Sequence, residues 1–247
     1  MGNRAWRYIV PNFFTSTSLM LGTASVLLSL EGELEWAAWL VLWSVLLDKA
    51  DGTAARLLDA TSKFGSELDS MADLVAFGLA PAMLCYSTGR TAWELLPGTG
   101  LWFLLAIAST LYVVCTALRL ARYNVVGHAP NARHFKGVPT TISGAIVAAG
   151  LLVAFKYGLD TAVMSYYPLV LVGLGLGMIS SLPTPKVVPR KNKVFNLFQL
   201  ANILTLYVTG ICMVYPEYPL VIAMLFLVVG IPQGLLSRGL TGRLGRG

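Results

Sequence analysis

The sequence predicts an all-α polytopic membrane protein with about eight transmembrane helices. Hydrophobic residues make up 56% of the 247-residue chain, and the mean hydropathy is +0.69. Only 12% of the residues are charged, whereas soluble domains average about 25%. Apolar runs, each close to the length that crosses a bilayer, alternate with short polar loops. They cover about residues 12–30, 36–58, 67–88, 100–122, 138–156, 163–182, 196–214 and 218–236.

The basic residues predict the orientation of these spans. Sixteen of the eighteen Lys and Arg residues lie on one side of the predicted membrane, and only Arg90 and Lys156 lie on the other. Positively charged loops stay in the cytoplasm, so we expect a cell-membrane protein with both termini cytoplasmic. The net charge of +6 does not indicate a nucleic-acid partner, because it is spread over loops instead of forming one basic patch.

The first span begins with Pro11, followed by Asn12 and Thr15. Proline at the start of a helix with asparagine and threonine nearby is typical of ordinary helix capping. The residues alone therefore assign these two polar side chains no further role.

The second and third spans carry the most informative pattern in the chain, between Asp48 and Asp73. It reads D-x2-D-G-x2-A-R-x8-G-x3-D-x3-D, and four of the chain's six aspartates fill it. The apolar run that starts near Trp36 covers only about 18 Å before Asp48. The helix must therefore continue to about Leu58 to cross, which carries Asp48 and Asp51 into the bilayer.

Helical periodicity places the fixed positions of this pattern on two facing surfaces. On the second helix they fall within an arc of about 140°, and on the third they repeat every four residues. The first set is Asp48, Asp51, Gly52, Ala55 and Arg56, and the second is Gly65, Asp69 and Asp73. Two helices joined by a short loop can thus direct four carboxylates at one another.

Four carboxylates in a low-dielectric environment repel one another unless positive charge compensates them. Interhelical ion pairs are the alternative, but Arg56 and Lys49 cannot balance four acids. Oxygen ligands without Cys or His partners favour Mg²⁺ or Mn²⁺, and two ions shared by the four aspartates would suit phosphoryl chemistry. Arg56 could then bind a phosphate, and the glycines would let a ligand approach the backbone.

The fourth span ends with two arginines, Arg119 and Arg122, and Lys136 follows in the next loop. Basic residues at the cytoplasmic ends of spans commonly anchor the protein in the membrane. Arg119 differs from them because it lies within the apolar run, where a buried guanidinium needs an anion.

The Asp48–Asp73 pattern closely resembles the signature of the CDP-alcohol phosphotransferase family, and every fixed position matches. Members of this family are integral membrane enzymes that move a phosphatidyl or similar group from a CDP-activated lipid to an alcohol. They release CMP and use divalent metals. The resemblance implies one catalytic domain over residues 1–247, with a six-helix core at about 1–185 and two additional helices at about 195–238. The additional helices carry almost no internal charge and look like scaffold or a dimer surface, so we expect a homodimer.

The resemblance also implies roles for individual residues. Asp73 takes the position of the general base and also binds metal together with Asp48, Asp51 and Asp69. No Ser, Cys or His in the motif is placed to form a covalent intermediate, so we expect direct displacement. The implied contacts with the CDP-lipid are Asn12, Thr15, Gly52, Ala55, Arg56, Ser62 and Gly65.

Four further segments resemble the phosphatidylserine synthase branch of the family. They are DSMADLVAFGLAPA from Asp69, ALRLARYN around Arg119, FKGVP around Lys136, and MISSLPTPK from Met178. This branch implies CDP-diacylglycerol and L-serine as substrates. The carboxylate of serine needs a cation, which Arg119, Arg122 and Lys136 could supply.

Two alternatives to serine transfer stay open from the sequence. Glycerol phosphate, inositol phosphate or choline as acceptor would keep the same family, and charge alone does not separate a phosphorylated acceptor from serine. A divalent-cation transporter would instead place acids along a path through the membrane. The acids here cluster toward the cytoplasmic half, and the outer halves of the second and third spans are apolar, which favours the enzyme.

Overall fold

Eight helices and one short β-ribbon form the fold of the described residues. The structure is a computed structural model, and it describes residues 5–57, 62–91, 99–126, 134–159, 165–185 and 193–244. The ribbon pairs β1 (His134–Lys136) antiparallel with β2 (Pro183–Pro185). The eight helices of the described residues agree with the prediction of about eight, whereas nothing in the sequence predicts the ribbon. The helices are α1 (Ala5–Glu31), α2 (Leu34–Leu57), α3 (Lys63–Thr91), α4 (Gly100–Val126), α5 (Thr140–Tyr157), α6 (Tyr167–Ile179), α7 (Lys193–Cys212) and α8 (Glu217–Leu244).

Length and composition identify five of these helices as able to cross a membrane. They are α1, α3, α4, α5 and α8, the last over Glu217–Leu235. Two further apolar stretches are shorter, namely α6 and the part Asn196–Cys212 of α7. The length of α2 is sufficient, but Asp48, Lys49 and Asp51 interrupt its apolar sequence. The chain is therefore an all-α polytopic membrane protein, as predicted.

The second helix extends through the aspartate pattern, as its predicted length requires. It runs for 24 residues, or about 36 Å, and ends at Leu57, well beyond the apolar boundary before Asp48. α1 packs along it, and Ser25 Oγ of α1 donates to the Ala37 carbonyl of α2 at 2.8 Å. α1 therefore supports the helix that carries the first two aspartates of the signature.

The third helix is continuous but changes its winding just after Asp73. Residues Leu74–Leu79 form a π-helical segment between two α-helical parts. A π turn contains an extra residue, so side chains after it are offset by about 100° from their positions in an unbroken α-helix. Tyr112 donates to the Phe77 carbonyl at 3.0 Å, which satisfies a buried polar group of the segment.

Small residues let α1 and α5 approach this π-helical segment closely. A Cβ on Gly22 of α1 would lie only 2.7 Å from Ala76 Cα, and one on Gly144 of α5 would lie 3.3 Å from Phe77. Such close approach at small residues is typical of membrane helices. It fixes the position of α3 next to the turns that carry its two aspartates.

The remaining helices enclose this centre. The largely buried α5 packs against α2, α6 and α8, while α7 contacts α2 and α8 contacts β2. Both C-terminal helices thus touch the part of the chain that the sequence assigns to the core. The division into a core and additional helices stays a prediction.

Candidate active site

Three of the four signature aspartates meet where α2 faces α3. One carboxylate oxygen from each of Asp48, Asp51 and Asp69 lies within 4.8 Å of the other two. Asp51 is buried, with 7% of its surface exposed, and the other two are half-buried. Carboxylates this close repel strongly in a low-dielectric environment, and an all-oxygen cluster of this kind is the donor set that a hard divalent cation prefers. These residues therefore fit a divalent metal ion.

Thr15 connects α1 to this carboxylate cluster. Its hydroxyl lies 3.0 Å from Asp51 Oδ2 and 3.1 Å from the Pro11 carbonyl, so two acceptors share its one hydrogen. Because hydrogen bonds to ionised groups are strong, this contact restrains the Asp51 side chain. The structure thus places Thr15 directly against a candidate metal ligand.

Asp73 lies one helical turn beyond Asp69 and outside the group of three. Its Oδ2 accepts a hydrogen bond from Thr140 Oγ1 at 3.3 Å. It also interacts electrostatically with Asp48, Asp69 and Arg119. A hydroxyl and a guanidinium are therefore both among its neighbours.

Arg119 reaches the same place from α4. Its Nη1 donates to Thr140 Oγ1 at 3.4 Å, so this hydroxyl accepts from the arginine and donates to Asp73. Arg119 Nε is buried and has no hydrogen-bond partner among the described residues. Tyr123, one turn further along α4, interacts electrostatically with Arg119. The guanidinium therefore retains donor capacity next to the carboxylates.

Arg122 and Lys136 have different surroundings. The Arg122 guanidinium donates to carbonyls at the C-terminal end of α6, of which the Ile179 carbonyl is nearest at 2.7 Å. It also donates to the Lys136 carbonyl at 3.4 Å. Helix C-termini leave such carbonyls without partners in the helix, so Arg122 ties α4 to the end of α6 and to β1. These contacts engage both terminal nitrogens of Arg122, and the Lys136 side chain is exposed.

Three of the residues implied as CDP-lipid contacts come together between α1 and α3. Ser62 is the N-cap of α3 and accepts a hydrogen bond from the Gly65 amide at 2.9 Å. A Cβ on Gly65 would lie 3.1 Å from Ser62 Oγ and 3.2 Å from Asn12 Oδ1. Because Gly65 has no side chain, the polar groups of Ser62 and Asn12 can lie close to the backbone at the start of α3.

The last turns of α2 carry the other implied CDP-lipid contacts. A Cβ on Gly52 would meet no described atom within 4 Å, so the described residues leave this side of the helix open. Ala55 and Arg56 lie in the final turn, and their side chains lie outside the described residues.

Two features of the site are missed by the sequence analysis. The first is Thr140, which stands at the start of α5, directly after Pro139. A hydroxyl at a helix start is the one sequence feature that could have indicated its role. The π-helical segment Leu74–Leu79 has no comparable signal, because its apolar residues fit an α-helix equally well.

The fold and the site together define a polytopic membrane protein with a metal-compatible carboxylate cluster between two of its helices. The sequence model of the CDP-alcohol phosphatidyltransferase family matches residues 8–178, a range that contains the four signature aspartates, Arg119 and Thr140. The chain belongs to this family and is a membrane transferase.

Relatives with assigned activities match most of the chain. A CDP-diacylglycerol–serine O-phosphatidyltransferase from Helicobacter pylori is 33% identical over 237 aligned residues, covering 92% of each chain. A protein of the same name from Methanocaldococcus jannaschii is 30% identical over 222 residues, covering 90% of this chain and 92% of the relative. An archaetidylserine synthase from Methanothermobacter thermautotrophicus is 29% identical over 180 residues, covering 72% and 70%. The names of all three refer to serine or to a serine lipid.

Proposed function

We propose that the protein transfers a phosphatidyl group from CDP-diacylglycerol to the hydroxyl of L-serine and releases CMP. The observation that carries this proposal is the meeting of the three-carboxylate cluster with Asp73 and Arg119. Carboxylates for a metal, a candidate base and a cation for the acceptor thus lie together. The names of the relatives from Helicobacter pylori and Methanocaldococcus jannaschii support serine as the acceptor.

The four signature aspartates are proposed to hold two divalent cations, Mg²⁺ or Mn²⁺. The oxygen-only donor set supports this choice, because these ions prefer carboxylates over softer ligands. Four carboxylates also carry the charge that two such ions would balance. When bound, the cations would offset negative charge on the pyrophosphate oxygens of the substrate.

The CDP-lipid is proposed to lie against the end of α2 and the start of α3. The open side of Gly52 and the close grouping around Gly65 support this placement. Thr15 would act through Asp51, to which it is hydrogen-bonded. The full set of proposed contacts is Asn12, Thr15, Gly52, Ala55, Arg56, Ser62 and Gly65.

Arg119 is proposed to bind the carboxylate of serine. Its buried Nε has no described partner, and a buried charged donor gains most from an anion. Arg122 is proposed to act one step away, by holding β1 and the end of α6 in place. The exposed Lys136 would add positive charge at the entrance for the acceptor.

Asp73 is proposed as the general base. A serine hydroxyl is a poor nucleophile until its proton leaves, and this proton would move to the Asp73 carboxylate. The serine oxygen then attacks the lipid-side β-phosphorus, the bond from that phosphorus to the bridging oxygen breaks, and CMP leaves with the electron pair. Thr140, which donates to Asp73, would keep the carboxylate oriented for this transfer.

The site is proposed to open to the cytoplasm, with both termini on that side of the cell membrane. The excess of Lys and Arg in the loops on the same side supports this orientation. We also propose a homodimer, with residues 1–247 as one catalytic domain, a core at about 1–185 and additional helices at about 195–238.

A panel of acceptors tests this function. Purified protein in vesicles with CDP-diacylglycerol and Mn²⁺ would receive L-serine, glycerol 3-phosphate, inositol phosphate or choline, and released CMP would be quantified. We expect CMP release with serine to exceed that with each other acceptor by at least about a hundredfold, the scale on which a buried polar site discriminates. Faster release with another acceptor would contradict the proposal.

A further inference from the structure

Helix α7, the first of the two C-terminal helices, meets α2 just before the first signature aspartate. Tyr207 of α7 donates its hydroxyl hydrogen to the Leu46 carbonyl of α2 at 2.8 Å. One turn away, Trp43 Nε1 of α2 donates to the Gly210 carbonyl of α7 at 2.7 Å. A Cβ on Gly210 would lie 2.7 Å from Leu46 Cδ1, so the two helices are in close contact here. Two hydrogen bonds of opposite direction join them.

This contact lies close to the carboxylates, although α7 is outside the family match at residues 8–178. Leu46 precedes Asp48 by two residues. Tyr207 is also close enough to Asp48 and Asp51 to interact with both electrostatically. A helix beyond the matched part of the chain therefore touches the turn from which two candidate metal ligands project.

The rotation of α2 about its axis decides where these two carboxylates lie. A helix with side chains has a radius of about 6 Å, so a rotation of about 10° moves a carboxylate by about 1 Å. Metal sites tolerate departures of only about 0.2 Å in ligand distance. A side-chain donor on a carbonyl of α2 resists such a rotation, since turning the helix would break the bond.

We propose that Tyr207 is a positioning residue for the metal-binding carboxylates. Its hydroxyl holds the Leu46 carbonyl and thereby sets the rotation of α2 that presents Asp48 and Asp51 to Asp69. This inference rests on the proposed function, because it takes these aspartates as metal ligands. It also gives a C-terminal helix a role in the site.

The variant Tyr207→Phe removes only the hydroxyl, and Tyr218→Phe is its matched control. The Tyr218 hydroxyl donates to Asn202 Oδ1 at 2.8 Å and joins α8 to α7, so the same chemical change removes a contact of α7 with a different helix. The first readout is the Mn²⁺ concentration that gives half of the maximal rise in melting temperature, measured without substrate. The second is the Mn²⁺ dependence of CMP release with saturating serine.

We expect Tyr207→Phe to raise the half-maximal Mn²⁺ concentration about fivefold in both measurements, the effect of losing one ordinary hydrogen bond. At saturating Mn²⁺ its kcat should lie within about twofold of wild type. Tyr218→Phe should keep the wild-type Mn²⁺ dependence even where it lowers the melting temperature. An unchanged Mn²⁺ midpoint in Tyr207→Phe, or an equal shift in both variants, would overturn the inference.

Failure of the inference can be told apart from failure of the proposed function. A wild-type protein that Mn²⁺ neither stabilises nor activates would remove the proposed function itself. If Tyr207→Phe does not fold, Trp43→Phe replaces it, because it removes the neighbouring donor to Gly210 at the same contact. This variant must then raise the Mn²⁺ midpoint, and a wild-type midpoint would overturn the inference.

Discussion

Replacing Thr140 with valine tests the connection between the candidate base and the candidate acceptor site. The change removes a hydroxyl while it preserves the branched shape of the side chain. Asp73 loses a hydrogen bond of 3.3 Å, and Arg119 Nη1 loses an acceptor at 3.4 Å. Only 2% of Thr140 is exposed, so bulk water cannot take the place of the hydroxyl.

The size of the effect follows from these two contacts. A hydrogen bond to a charged group contributes about 1.5–3 kcal/mol, and a bond to Asp73 as long as 3.3 Å belongs at the low end. A loss of about 1.5 kcal/mol in the transition state lowers the rate roughly tenfold. We therefore expect kcat to fall about tenfold and the KM for serine to rise a few-fold as Arg119 loses its support. The KM for CDP-diacylglycerol should stay within about twofold of wild type.

The assay is CMP release at varied serine and varied CDP-diacylglycerol concentrations. Thr88→Val is the control. Thr88 lies on α3 and is as buried as Thr140, with 0% exposed, but its hydroxyl donates to the Leu84 carbonyl of its own helix. A Thr140→Val enzyme with kcat within about twofold of wild type would refute the reasoning. Equal losses in the two variants would refute it as well, since they would reflect folding.

Four further substitutions separate the proposed roles. Asp73→Asn should lower kcat at least about a hundredfold while CDP-diacylglycerol still binds. Initial rates and equilibrium binding of the lipid measure the two effects, and a near-normal kcat would exclude Asp73 as the base. Arg119→Gln should raise the KM for serine at least about tenfold more than the KM for CDP-diacylglycerol, and equal changes would point to the lipid or to folding. Arg122→Gln should mainly lower the melting temperature, because it uncaps α6, and a serine-specific KM effect without destabilisation would contradict this. Gly65→Ala should raise the KM for CDP-diacylglycerol, since its methyl group would crowd Asn12; a normal KM would place the lipid elsewhere.

The extent of α2 and the meeting of the aspartates could be predicted because they depend on local rules. A helix that must cross a bilayer needs a minimum length, and that requirement alone carries α2 through Asp51 to Leu57. The spacing of Asp48 and Asp51 then places both on one face. Asp69 follows from the same rule on α3, and the three carboxylates meet in the structure.

The surroundings of the arginines could not be predicted, because they depend on helices distant in sequence. The position of Arg119 in an apolar run shows that it needs a partner, but not which one. Arg122 finds carbonyls at the end of α6, including that of Ile179, whereas Arg119 finds a threonine at the start of α5. The partner of each arginine depends on how α4 packs against the end of α6 and the start of α5.

The ribbon and the π-helical segment were beyond sequence reasoning for a different reason. Strand β2 is three residues long and contains Pro183 and Pro185, so it lacks the alternation and length that identify strands. The π-helical segment Leu74–Leu79 is stabilised by Tyr112 and by close contact with Gly22 and Gly144. These partners come from three other helices, and no local pattern names them.

The most direct test of the central claim is the incorporation of labelled serine into lipid. Wild-type protein and Asp69→Asn, in vesicles with CDP-diacylglycerol, would receive radiolabelled L-serine with either excess chelator or Mn²⁺. We predict labelled lipid and CMP in equal amounts only for the wild type with Mn²⁺, because the proposed function requires a divalent cation in the carboxylate cluster and takes Asp69 as one of its ligands. Labelled lipid formed at full rate in excess chelator, or by Asp69→Asn, would contradict the claim that this cluster carries out a metal-dependent transfer to serine.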